Sequence, residues 1–167
     1  THVHMPSTFR TEPRCSHFGT CGGCKMQHID YARQLSIKEK IVTDAFQRIG
    51  KVEIPEMQTI LGSQEIYEYR NRLDYAASSK RWMTLEEIQS GVPITEPALG
   101  FHVPGRFDKI LDLEQCHLQS GLSNRIRNAI KAYAIEHGFR FFDPVSQEGF
   151  LRNVIIRSTS TDEWMVI

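Results

Sequence analysis

Apolar positions recur at helical spacing in two long stretches. After Asp30, a residue suited to N-capping, Leu35, Ile41, Val42, Ala45, Phe46 and Ile49 form a stripe. It predicts a core helix over residues 31–49, stopped by Gly50. Leu122, Ile126, Ala129, Ile130, Tyr133 and Ala134 mark one face of a second helix over 122–137, closed by Gly138. Elsewhere the period falls to two. Over residues 67–77, Arg70, Arg72 and Asp74 alternate with Asn71, Leu73 and Tyr75. This predicts a strand with a charged face carrying both arginines and a largely buried opposite face.

Turn and capping residues punctuate the rest. Thr84 and Glu87 have capping-box spacing for a short helix over 85–89. Residues 98–103 and 107–112 read as strands joined by a Pro104-Gly105 turn, and 151–159 with 163–167 as a second hairpin. Residues 1–14 lack a period and read as a lead-in, while 51–64 are weakly strand-like and broken by Pro55 and Gly62. The aromatic run Phe139-Arg140-Phe141-Phe142 is expected to be buried. The fold class is α+β: an antiparallel or mixed β-sheet with two long helices and a metal-stapled N-terminal arm, with residues 15–167 as one domain.

Length and composition narrow the function classes. The chain has 167 residues, 40% hydrophobic and 24% charged, which suits one globular domain rather than a disordered segment. The formal net charge of +0 means that any nucleic-acid footprint must be local. No apolar run approaches a membrane span, and the start lacks signal-peptide character, so a cytoplasmic, reducing setting is expected. Both ends look cut: the chain begins on Thr1 and stops in the strand-like Trp164-Met165-Val166-Ile167, so a fragment of a longer protein is expected.

The main chemical signal is Cys15, Cys21 and Cys24 at C-x5-C-x2-C, with one further cysteine, Cys116. Four thiolates suit an iron–sulfur cluster or a structural zinc; a disulfide pair is the third reading. Zinc sites usually bring two close pairs, so three local ligands and one distant one fit a cubane better. His17, His28 and His117 lie near cysteines and could replace a sulfur, although exposed or supporting roles suit all three. Gly22 and Gly23 are expected to supply positive φ angles around a metal. The first helix would direct its positive N-terminal end at an anionic centre.

These residues resemble one family. The block C-x5-C-G-G-C is followed by Gln27-His28, Tyr31, Gln34-Leu35, Lys38 and Arg48-Ile49-Gly50. Tyr69-Arg70-Asn71-Arg72, Leu99-Gly100-Phe101, Cys116 and Leu151-Arg152-Asn153 complete the pattern. From about Cys15 to Ile167 the chain resembles the SAM-dependent RNA uracil-5-methyltransferases that act on 23S rRNA or tRNA, in the branch carrying a 4Fe-4S cluster. The resemblance implies that Cys15, Cys21, Cys24 and Cys116 are the cluster ligands. It implies a central domain lying between an OB-like RNA-binding domain and a Rossmann-like SAM domain.

No catalytic residue is expected in this chain, which has neither a Gly-rich SAM loop nor a cysteine to spare as nucleophile. The implied partner is RNA, 23S rRNA ahead of tRNA, with neither DNA nor membrane. Arg70, Arg72, Lys80, Arg81 and Arg152 are the candidate RNA contacts, each equally readable as part of a solvated, salt-bridged face. Trp82 and Phe101 could stack on bases, although core packing suits both. A structural role is expected for the cluster; in isolation the segment could be apo or zinc-filled. The alternatives are a zinc-stapled four-cysteine interaction module and an iron–sulfur electron-transfer domain.

Overall fold

The computed structural model describes residues 4–54, 56–93 and 95–167. Pro55, read above as a strand breaker, lies outside the described residues, as does the chain start at Thr1. The chain divides into two compact bodies, Thr1–Arg14 with Met26–Ile66, and Cys15–Lys25 with Tyr67–Ile167. The cysteine loop therefore belongs with the later part of the chain, and the lead-in with the first helix. No helix among the described residues is long and apolar enough to cross a membrane.

The first body is built on α1 (Tyr31–Asp44), whose N-cap Asp30 accepts a hydrogen bond from the Arg33 amide at 3.3 Å. The helix continues as a π-helical turn over Ala45–Gly50. Lys51, at φ 52°, provides the left-handed exit in place of the expected Gly50. The lead-in is pinned beside the helix start: the Asp30 amide donates to Phe9 O and the Thr11 amide to His28 O. Gln34 Nε2 ties the preceding loop down through Met26 O and Ile29 O at 3.1 and 2.9 Å. The predicted burial of this helix does not occur, since none of its residues is buried and Ile41 is 62% exposed. Its spacing is right for a helix, but apolar spacing does not by itself supply a partner surface.

The second body is a five-stranded antiparallel sheet in the order β3-β2-β1-β4-β5. Its strands are β1 (Arg72–Ser78), β2 (Ala98–His102), β3 (Ile110–Asp112), β4 (Asn153–Ser158) and β5 (Trp164–Val166). Two helices accompany it, α2 (Leu85–Ser90) and α3 (Gly121–Glu136). Both predicted hairpins form, with Gly105 at φ 72° in one turn and Asp162 at φ 61° in the other. Leu73 pairs with Ile156 and Tyr75 with Val154, so alternation puts these four side chains on one face. That face is the core, joined by Leu99, Leu113, Cys116 and, from α3, Ala134. Each such buried aliphatic contributes roughly 1.5–3 kcal/mol. Gly100 is required by packing: a Cβ there would stand 2.1 Å from Leu111 O.

Two expectations change on this frame. The first strand begins at Arg72, so Arg70 precedes the sheet and does not share a strand face with Arg72. The aromatic run is split by its own alternation, with Phe141 buried at 7% exposure and Phe139 left at 41%.

Candidate metal centre and adjoining cleft

The cysteine loop is a series of tight turns. The Phe18 amide donates to Cys15 O, the Thr20 and Cys21 amides donate to His17 O, and Gly19 turns the chain at φ 91°. Gly22 then docks on β2, its amide donating to His102 O at 3.0 Å. At Gly22 the need for glycine is close approach rather than the expected positive φ, and Gly23, also without a positive φ, has room for ordinary contacts. A Cβ on Gly22 would lie 2.6 Å from His102 O, and one on Gly23 would lie 3.4 Å from Cys21 Sγ and 3.6 Å from the Phe101 ring. The Gly23 amide donates to Cys21 Sγ at 3.3 Å.

Cys116 reaches the same body from the segment between β3 and α3. Its backbone is clamped by Asn124, whose Oδ1 accepts from the Cys116 amide at 2.8 Å and whose Nδ2 donates to Cys116 O at 2.9 Å. All four cysteines are thiols outside any disulfide. Burial raises the Cys116 pKa to about 11, and its charged form is further opposed by Cys24, Cys15 and Cys21. Burial also raises the Cys21 thiol, against the lowering effect of the Gly23 amide, with Cys24 and Cys15 adding to the rise. The four sulfurs thus occupy one electrostatic neighbourhood. A bound metal would reverse that balance and hold them as thiolates.

The donor set can be tested against the two metals. Among the described residues, no three His, Cys, Asp or Glu side chains converge as ligands of a single ion. A tetrahedral zinc with bonds of ~2.3 Å needs its sulfurs within roughly 4 Å of one another. A cubane distributes four thiolates over four irons and so accepts a wider spread. Four soft donors are chemically suited to either a structural zinc or an iron–sulfur cluster. His17 is occupied otherwise: its Nε2 accepts from the Glu114 amide at 3.2 Å. His117 meets Tyr67 edge to face with centroids 6.2 Å apart. His28 lies in the first body.

A cleft of about 520 Å³ adjoins the loop at Gly23 and is lined by Tyr69, Arg70, Asn71, Arg72, Asp74 and Phe101, among others. Arg72 grips Asp74 through two hydrogen bonds of 2.7 and 2.6 Å and holds its carboxyl below the usual range. Phe101 stacks on Tyr75 at 5.1 Å and packs against the core. On β4, Arg157 stands directly opposite Arg72. It lines a second groove of about 580 Å³ with Arg72, Asn71, Ser158, Glu163 and Trp164, among others.

The remaining predicted contacts lie apart from this cleft. Arg81 binds Glu87 at 2.6 Å and Glu96 at 3.0 Å, which makes it a staple between α2 and the loop before β2. Trp82 is half-buried, and its amide donates to Ile110 O. Arg152 lies over the Phe142 ring at 4.7 Å beside a third groove of about 370 Å³. Lys80 is exposed at the end of β1. Sequence reasoning missed Arg157, Asn124 and Arg127. Arg157 alternates with the buried Val154 and Ile156, which could have marked it as facing solvent. Arg127 lies at helical spacing with Ile130 and Ala134, inside the predicted apolar face.

No protein-family profile matches the chain. A Bacteroides thetaiotaomicron protein named as an uncharacterized RNA methyltransferase is 50% identical over 165 residues, covering 98% of this chain and 36% of that protein. This chain is homologous to RNA methyltransferases. A similarly named protein of Porphyromonas gingivalis is 48% identical over 171 residues, covering 99% of this chain and 37% of its own length. Among solved structures, the tRNA (uracil-54, C5)-methyltransferase of Pyrococcus abyssi, in complex with S-adenosyl-L-homocysteine, matches with a TM-score of 0.66 and 26% identity. That match covers 99% of this chain and 33% of the other. The chain thus spans about a third of the length of the RNA methyltransferases it matches.

Proposed function

We propose that this chain is the cluster-bearing, RNA-contacting segment of a cytoplasmic SAM-dependent RNA (uracil-5-)-methyltransferase. Cys15, Cys21, Cys24 and Cys116 would hold a 4Fe-4S cluster. The observation that carries this reading is the gathering of three local cysteines and a distant fourth in one body of a chain homologous to RNA methyltransferases. The cluster would supply a rigid covalent tie between the loop and the β3–α3 segment, as metals do in other small domains. Hydrogen bonds from Gly22 and to His17 support the same docking from the protein side.

RNA would lie against the charged side of the sheet. Arg70, Arg72 and Arg157 are the principal phosphate contacts in this reading, with Lys80 and Arg152 further along the body. Arg81 is left out because its guanidinium already holds two carboxylates. Such contacts position folded RNA without reading its sequence. SAM and the nucleophile that adds to the uracil ring would be supplied outside these residues.

The substrate is taken as a uridine of 23S rRNA, from the family resemblance. The Pyrococcus abyssi relative favours tRNA as the second reading, because that enzyme is named for a tRNA uracil. Labelled SAM, a protein of the relatives' full length, and 23S rRNA or tRNA as acceptors would decide between them. Nucleoside mass spectrometry should find 5-methyluridine in one RNA, and none with this 167-residue chain alone. Methylation at another atom, or by this chain alone, would contradict the proposal.

A further inference from the structure

Gly100, Ala76 and Asn153 stand side by side on β2, β1 and β4, and the first two bring almost no side-chain bulk to the sheet. Ala76 alternates with the buried Tyr75 and Ala77, so this row faces away from the core. A groove of about 370 Å³ opens there, the size of a small-ligand site. Phe107, from the β2–β3 turn, and Phe142, from the loop before β4, line it together with His102, Gln147, Arg152 and Asn153, among others.

The groove is built by the protein itself. The Phe142 amide donates to Leu151 O at 2.8 Å, and Phe142 O accepts from the Ser79 amide at 3.0 Å. Gly149 closes the loop so tightly that a Cβ would stand 2.5 Å from Phe141 O. The neighbouring carboxylate, Asp143, is engaged within the fold: Oδ1 accepts from the Val145 and Ser146 amides and Oδ2 from the Ser79 hydroxyl. The Arg152 guanidinium lies over the Phe142 ring at 4.7 Å and, among the described residues, makes no ion pair. Gln147 sits at φ 60°, a conformation that a long side chain seldom adopts and that collects at ligand sites. Gln147 and Asn153 are exposed, and among the described residues their side-chain amides hold no partner in the protein.

A guanidinium stacked on a ring, a second exposed ring and two open amides are what an unstacked RNA base requires. Its faces lie on aromatic or guanidinium planes, and its edge is read by hydrogen bonds. A side-chain amide offers a donor and an acceptor side by side, the match for the amino group and ring nitrogen of adenine. Arg152 is the one charged side chain among the lining residues, so the groove favours a ligand that brings negative charge. We propose that this groove holds one unstacked adenine of the substrate RNA, a base other than the uridine that is methylated. This rests on the RNA-contacting reading above and adds to it a place where sequence is read.

Fluorescence anisotropy would follow the chain binding three single-stranded RNA hexamers at one salt concentration: all adenosine, all cytidine, and abasic with the same charge. The adenosine hexamer should bind at least ~10-fold more tightly than the abasic one. Phe107→Ala, where the side chain is 76% exposed, should weaken the adenosine hexamer and leave the abasic one unchanged. The loss should be about 5–150-fold, the range for one stacked base. Gln147→Gly relieves the positive φ, so it should melt no lower than wild type while losing most of the preference for adenosine over cytidine. In NMR spectra the Gln147 and Asn153 side-chain amides should shift with adenosine monophosphate and not with ribose phosphate. Equal affinity for the adenosine and abasic hexamers, with both amides unmoved by the monophosphate, would overturn the base pocket and leave the arginine face standing. A chain that binds no hexamer would overturn the RNA-contacting reading and this inference with it.

Discussion

Between Gly22 and the carbonyl of His102 there is room for a hydrogen and little else, since a Cβ would lie 2.6 Å from that oxygen. The atom in the way is backbone, so the contact cannot be relieved by a rotamer change. Gly22→Ala should cost about 1–3 kcal/mol, the usual penalty for overpacking, and push the loop off β2. Gly19→Ala provides the contrast: nothing lies within 4 Å of its Cβ, and only the φ of 91° opposes it. That change strains the backbone locally but should leave the docking intact. Thermal unfolding and iron retention, measured together, separate the two: Gly22→Ala should lose both, and Gly19→Ala should retain iron. Equal iron loss in both would contradict the docking role assigned to Gly22. The need for glycine here was legible in the sequence. Its cause was not, because close approach involves a strand some eighty residues away and φ is a local property.

Among the elements, α2 was read correctly because its signal is local. The Thr84 side chain accepts from the Glu87 amide, and the Glu87 carboxylate accepts from the Thr84 amide, the reciprocal pair that the spacing foretells. What the sequence did not disclose is that Arg81 grips the same carboxylate and, with the capping bond, holds the Glu87 pKa to about 2, from an ordinary 4.5. Because the folded value is the lower one, ionised Glu87 stabilises the fold fully above pH 4.5, and that contribution is lost as pH falls through about 2. Carboxyl chemical shifts followed by NMR should place the Glu87 midpoint near the lower value, and Arg81→Ala should move it back towards 4.5. A midpoint unaffected by Arg81→Ala would contradict the staple.

The helix α3 shows the opposite case. Its ends were legible from Gly138 and the apolar period, yet its buried residues include Ser123, Asn124 and Arg127. A search for apolar spacing passes over polar side chains whose partners, such as Cys116 and Glu114, come from elsewhere in the chain. The same reason accounts for α1. Its period was legible, but burial depends on a partner surface, and its residues are left at least partly exposed. For the strands, alternation in 67–77 gave the right face for Leu73 and Tyr75 but extended the strand past its start, which misplaced Arg70.

At the scale of the whole molecule, a net charge of +0 leaves no overall field to attract RNA, so affinity must come from local cations. Arg157 and Arg72 face each other across β1 and β4; Asp74 pairs with Arg72 and Glu163 lines the same groove, so Arg157 is the cation through which this face would attract phosphate. Binding of a single-stranded RNA should weaken linearly in log–log against salt. Arg157→Ala should lower affinity and reduce the slope by about 0.7 for each phosphate contact removed. Arg81→Ala should leave the slope unchanged. A slope insensitive to Arg157, or equally sensitive to Arg81, would contradict the proposed face.

The cysteine quartet was the clearest feature of the sequence, and the fold brings its distant member, Cys116, into the same body as the other three. The most direct test is the iron and acid-labile sulfide content of anaerobically prepared chain, alongside its Cys116→Ser variant. The account predicts about four irons and four sulfides per chain in the wild type, lost in the variant. One zinc without sulfide, or a cluster that survives Cys116→Ser, would contradict it.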